Sequence, residues 1–255
     1  MTAVWVIAEN TFKENVRNRV VGVILLVAVG LILLSSVVSQ WSLEQQVKIL
    51  KDFGLVAVSI FGLLIAMFVG VRAFHQEIER KTIYMLASKP ITRWQIIAGK
   101  YAGLAATIIL NVLAISMCLL AVNFFVEGRV AWSLIPAIGL IALEVLLIVA
   151  WSIFFSTITS SILSSIMTFV IYVMGHMVSD MMLYTKLHPD SPGAGLLTVI
   201  HAIVPNLDNF NIKTAVVEGL SLPPNTIVYA VLYGMAYIVL VLTLSAIIFH
   251  RKELQ

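Results

Sequence analysis

Apolar positions fall into six long runs, at about residues 20–40, 53–72, 100–126, 132–156, 161–184 and 226–249, each dominated by Leu, Ile, Val, Ala and Phe. A hydrocarbon core is crossed by about 20 apolar residues of helix, so every run is long enough to span. Backbone in lipid must satisfy its own hydrogen bonds, and a helix does so locally. The short alternating segments of a membrane barrel do not occur. The pattern predicts an all-α polytopic membrane protein with six transmembrane helices, a single transmembrane unit over 1–255.

The segments outside these runs carry patterns of their own. Over residues 1–19, Trp5, Ala8, Phe12 and Val16 fall on one helical face and Glu9, Lys13, Glu14 and Arg17 on the other. That arrangement predicts a helix lying in the membrane interface. A basic start, an apolar stretch at 20–34 and small residues at 35–39 also resemble a secretory signal. The length and the two-faced pattern favour a retained helix. The 157–160 stretch is a tight turn. Residues 185–225 hold Pro189, Pro192, Pro205, Pro223 and Pro224. Within them, 193–204 is apolar but too short to cross, which predicts a re-entrant or interfacial half-helix ended by Pro205. Asp208 is expected to cap a second short helix that stops near Gly219.

Composition agrees: 60% hydrophobic and 11% charged residues exceed what a soluble core of this size can use. Lys and Arg set the orientation. With a cytoplasmic N-terminus, eleven of the 16 fall inside and five (Lys48, Lys51, Arg129, Lys186, Lys213) outside. Both termini are therefore expected in the cytoplasm and the chain in the cell (inner) membrane. Trp41 and Trp132 are expected at the outer interface and Trp151 near the inner one. Cys118 is the one cysteine, so neither an internal disulfide nor a metal-binding cysteine cluster can form. Gly99-Lys100 lacks the upstream glycine and following hydroxyl of a phosphate-binding loop. No Ser/His/Asp, Cys/His or His-Glu-x-x-His arrangement stands out. The chain is not expected to be an enzyme, to hold a cofactor or to bind nucleic acid.

Residues 72–100 carry six of the 16 basic residues between two apolar runs. Over 74–87, Ile78, Thr82, Met85 and Leu86 share a helical face, and Glu77 and Lys81 form an i,i+4 pair in the favourable order. Pro90 stops this helix, because the residue before proline avoids helical geometry. Thr92-Arg93-Trp94-Gln95 then matches a capping box that restarts a helix into the third span. A loop without a partner needs neither corner nor cap.

The run from Glu77-Ile78-Glu79-Arg80-Lys81-Thr82 through Leu86-Ala87-Ser88-Lys89-Pro90-Ile91-Thr92-Arg93 to Gly99-Lys100 resembles the signature of type-2 ABC exporter permeases. The six-span plan, the N-terminal helix and the long segment before the last span are similar too. One departure is Lys81, where that family often has Gly. The resemblance implies a transmembrane subunit that pairs with a second copy or a related permease. It also implies two separately encoded ATPase subunits, which bind the ATP and Mg. Residues 74–87 would be the coupling helix, with Glu77, Glu79, Arg80, Thr82, Leu86, Pro90 and Arg93 at the ATPase contact. The 157–164 turn would be a smaller contact. ATPase closure would then rock the spans around a path for cargo.

Other polar groups sit inside the spans. Glu144 lies near the centre of the fourth, where inserting an Asp-like charge costs about 2.5–3.5 kcal/mol. Two readings stand: a lining of the substrate path or interface, together with Asn111, or a protonated, internally paired group that fixes packing. Met174, Met177 and Met181 share a face, and thioethers suit Cu(I), but such stripes are usually packing. His176 and Asp180 form a pair on another face. Tyr229, Tyr233 and Tyr237 line one face of the last span, with Tyr233 a candidate path or interface residue. The competing functions are a stand-alone secondary transporter or channel, which calls for coupling carboxylates and an internal repeat, and a membrane assembly or scaffold factor.

Overall fold

The computed structural model describes residues 3–39, 45–79, 92–188, 194–220 and 223–251. Helix α1 (Ala3–Val16) leads into α2 (Arg19–Ser39), α3 (Gln46–Glu79), α4 (Arg93–Glu127), α5 (Leu134–Ile158) and α6 (Ser161–Leu187). A short segment follows, made of α7 (Ala194–Ile203), a 3₁₀ turn (Leu207–Phe210) and α8 (Lys213–Glu218), before α9 (Thr226–Arg251) closes the chain. Six of these helices, α2 to α6 and α9, are long and apolar enough to cross a membrane. The chain is a multi-pass membrane protein. We call the face where α2 starts and α9 ends the terminal face, and the opposite one the far face.

The span boundaries follow the apolar runs, with one difference, in α3. Helix α3 is unbroken to Glu79, so residues 74–79 prolong the second span instead of starting a separate helix. The rest of that expected helix, with Arg80, Thr82, Leu86 and the corner at Pro90, lies outside the described residues. Helix α4 begins at Arg93, directly after Thr92, where the capping-box pattern places the restart. Thr92 is extended there (φ −75°, ψ 146°), and its backbone N–H donates to Gln95 Oε1 at 3.0 Å. The Gln95 half of the capping box is thus made.

Helices α3 and α5 form the centre and α2 and α6 the periphery. Ile65 of α3, Ile108 of α4 and Leu147 and Ile148 of α5 are all fully enclosed. In lipid the apolar surface of Leu26 or Phe125 is not penalised, so helices associate by close packing and internal hydrogen bonds. The α5–α6 hairpin illustrates both. Its turn runs from Ile158 to Ser161, and the Ser156 and Ser164 hydroxyls meet at 3.0 Å inside it. Trp151 is not the interfacial anchor expected. It is 7% exposed and stacks on Phe155 at 5.5 Å, because α5 is surrounded by other helices along its length.

Helix α1 docks on α4 by the face that carries Val4, Ile7, Ala8 and Thr11, beside the apolar face read from the sequence. Thr11 and Asn15 are buried, whereas Trp5 and Val16 are exposed. The reason lies on α4. Gly99 and Gly103, one turn apart, let the backbone of α1 approach so closely that a Cβ on Gly103 would stand 2.5 Å from the Ala8 carbonyl oxygen. Small residues four apart are what permit such contact between membrane helices. Trp5, Val6 and Val16 face outward. Lys100, counted among the loop cations, is buried within the same packing surface (1% exposed).

Candidate functional site

The buried carboxylate of α5 organises the polar interior. Glu144 is 1% exposed, and among the described residues neither carboxylate oxygen accepts a hydrogen bond. An ionised group so placed needs compensation from nearby charge. His176, on the neighbouring α6, supplies part: its Nε2 lies 3.4 Å from Glu144 Oε1. The other ring nitrogen, Nδ1, is 3.1 Å from the Tyr172 carbonyl oxygen, one turn back. A neutral imidazole has one N–H for these two acceptors, and an imidazolium has one for each. The Tyr172 and His176 rings sit 4.7 Å apart, which fixes the imidazole against α6.

A second compensating charge comes from outside the spans. Lys213, the first residue of α8, acts on Glu144 as an attractive charge, while Asp208 of the 3₁₀ turn opposes it. Burial pushes the Lys213 ammonium below the ordinary lysine range, and Glu144 offsets part of that shift. Helix α8 reaches this position because its segment folds back onto the far-face ends of α3, α5 and α6. Leu207 and Phe210 are fully enclosed there. Gly175 of α6 makes the room: a Cβ at that position would lie 2.6 Å from Leu207 Cγ.

Two polar contacts fix the same segment. The Asn206 backbone N–H donates to the Tyr233 hydroxyl of α9 at 2.8 Å, and Asn206 Nδ2 donates to Ser179 Oγ of α6 at 3.1 Å. Asn206 Oδ1 also accepts the Asp208 N–H at 3.1 Å. Asn206, not Asp208, is thus the capping residue, and it caps a 3₁₀ turn because Pro205 ends the preceding helix immediately before it. Helix α8 stops before Gly219 as expected. Between this segment and α9 lies a cavity of about 550 Å³, bordered by Asp208, Asn211, Thr226, Tyr229 and Tyr233.

The sequence candidates divide accordingly. Glu144 is central. Asn111 does not join it; its Nδ2 donates to the Thr107 carbonyl of its own helix at 2.8 Å. Tyr233 holds the far-face segment, and its ring lies 4.9 Å from that of Tyr237. His176 turns to Glu144, leaving Asp180 exposed. Met177 is half exposed while Met174 packs on the core. Among the described residues, no three His, Cys, Asp or Glu side chains gather as a metal site would require.

On the terminal face, Glu77 and Glu79 lie on the last turns of α3. Arg93 opens α4 and donates from Nη1 to the Phe249 carbonyl of α9. Gly99 packs on Val4 and Ile7 of α1 within a helix, so Gly99-Lys100 forms no cradle for phosphate. Sequence reasoning paired His176 with Asp180 on its own helix and so missed it as the neighbour of Glu144, whose Oε1 lies 3.4 Å from its Nε2.

The model of a known family, described as ABC-2 family transporter protein, matches residues 5–254. No curated protein matches the chain.

Proposed function

The chain belongs to the ABC-2 family of transporter permeases, and on that premise we propose that it is the membrane subunit of an ATP-driven exporter. The carrying observation is the match of the family over nearly the whole six-span chain, together with a sequence that has no nucleotide-binding loop of its own. Such a subunit supplies the path and takes its energy from elsewhere. In this reading two separately encoded ATPase subunits bind ATP and Mg, and a second permease copy completes the path. The terminal face, with its excess of Lys and Arg, is cytoplasmic in the cell membrane.

The 72–100 hairpin is the part that meets the ATPase. Glu77, Glu79, Arg80, Thr82, Leu86 and Pro90 are its contact residues, and Arg93 connects its exit to α9. Two features support this. The hairpin is flanked by the two longest helices described, α3 and α4, so a push on it acts on long rigid levers. Arg93 also binds the last span directly. The far-face cavity beside Tyr233 is then the mouth of the path. Co-expression with the cognate ATPase subunit tests the reading: a complex that survives detergent extraction and size-exclusion chromatography is expected. Separate elution of the two proteins under those conditions would refute it.

A further inference from the structure

We propose that the cleft between α3 and α6 on the terminal face binds an anionic phospholipid, with its phosphate on Arg72 and its first acyl segment against Leu64, Met67 and Phe68. Which leaflet supplies the lipid follows from the orientation proposed above; the site itself does not depend on that reading.

The cleft is a cavity of about 470 Å³, within the ~300–1,000 Å³ range of small-molecule sites. Its walls change character with depth. Arg72 ends the apolar span of α3 and Ser161 opens α6, so both stand at the membrane surface. Phe68, Met67 and Leu64 line the cleft about one to two turns further into the bilayer. A polar end at the surface and an apolar end running inward match an amphiphile better than a soluble anion. The surroundings agree. Ile162 and Ile166 of α6, beside Ser161 and Ser165, are exposed, a surface that suits acyl chains and not water.

The polar end suits phosphate. The Arg72 guanidinium lies 4.8 Å from the centre of the Phe68 ring. Stacking occupies the face of the guanidinium and leaves its N–H donors in the plane, where a phosphate can accept two at once. Among the described residues no carboxylate pairs with Arg72, so its charge is left for a ligand. The Ser165 hydroxyl donates to the Ser161 carbonyl at 3.0 Å, which leaves the Ser161 hydroxyl as the serine donor nearest the surface. Ser160 makes no side-chain cap on α6, so the N–H groups of its first turn add to the same field. A zwitterionic headgroup carries its own ammonium, and a net negative one gains more from Arg72.

The test is titration of the full-length protein in detergent with short-chain phosphatidylglycerol, read by native mass spectrometry and by thermal midpoint. Phosphatidylglycerol should bind and raise the midpoint. Phosphatidylcholine of the same chain length, and glycerophosphate without chains, should each bind about tenfold more weakly or less. Arg72→Gln should weaken phosphatidylglycerol binding about tenfold or more, as loss of a charged hydrogen-bond donor implies. Ser161→Leu, which fills the polar end from a half-buried position, should do the same and keeps the test open if Arg72→Gln fails to fold. Arg17→Gln removes an exposed cation outside the cleft and should bind like the parent. Equal losses at Arg17 and Arg72, or binding unchanged by Arg72→Gln or Ser161→Leu, would overturn the site. Equal binding of phosphatidylcholine would overturn the charge preference, and equal binding of glycerophosphate would make this a free-phosphate site. Phosphatidylglycerol should stay bound when the cognate ATPase subunit is added; its displacement would reassign the cleft to a protein contact and overturn the lipid assignment.

Discussion

Arg93, the first residue of α4, donates to the backbone carbonyl of Phe249 near the end of α9, and its guanidinium lies 5.5 Å from the centre of the Phe249 ring. The two residues are 156 positions apart. This contact ties the start of α4, where the charged 72–100 segment ends, to the last span. A partner that moved that start would therefore act on α9 as well as on α4.

Arg93→Ala should lower the thermal midpoint of the purified protein. A hydrogen bond from a charged donor contributes about 1.5–3 kcal/mol, so the loss should be clear in a detergent thermal-shift series. Arg93→Lys keeps the charge but not the planar fork or the stacking, and should fall between. Equal midpoints for all three proteins would show that the contact holds nothing.

Gly103→Leu should detach α1. A Cβ at this position already meets the Ala8 carbonyl and Thr11, and overpacking costs about 1–3 kcal/mol. Trypsin should then cut faster at Lys13 and Arg17. Gly139→Ala is the control, because nothing lies within 4 Å of its Cβ position. Identical digestion of both variants would count against the docked arrangement.

Leu86→Asp, or charge reversal at Glu77 and Glu79, should uncouple the chain from its ATPase while all six spans still insert. ATP hydrolysis in the assembled complex should lose its dependence on cargo, or the complex should fail to form. A complex of unchanged composition and activity would remove these residues from the contact.

Ser156→Ala should have a small effect. Its hydroxyl meets Ser164 at 3.0 Å, but each serine also bonds a backbone carbonyl nearby. Hydrogen bonds between membrane helices average about 0.6 kcal/mol, so the thermal midpoint should shift by a few degrees at most. A collapse of the fold would mean that the hairpin turn contributes far more than its geometry implies.

The spans were legible because hydropathy acts locally: each apolar run contains its own reason to be a helix in lipid. The Thr92–Gln95 cap was legible for the same reason, since its two groups are three residues apart. Pairings across the bundle were not. Nothing in the spacing of Glu144, His176 and Lys213 states that α6 and α8 converge on α5, and Asn111, the partner suggested by chemistry, finds a carbonyl on its own helix. Trp151 misled in a related way. Side-chain character predicts interface or core in water, but in a bilayer the outside is apolar too, so Trp5 can face outward and Trp151 inward. Docking of α1 was decided by the absence of side chains at Gly99 and Gly103, which a hydrophobic pattern does not register.

The central claim is that this chain converts the work of a separate ATPase. ATP hydrolysis by the cognate ATPase subunit, measured in nanodiscs with and without this chain, tests it most directly. The account predicts a rate that changes when the chain is present and returns to the ATPase-only value with Leu86→Asp. The same rate with and without the chain, alongside transport by the purified chain in liposomes lacking ATP, would contradict it.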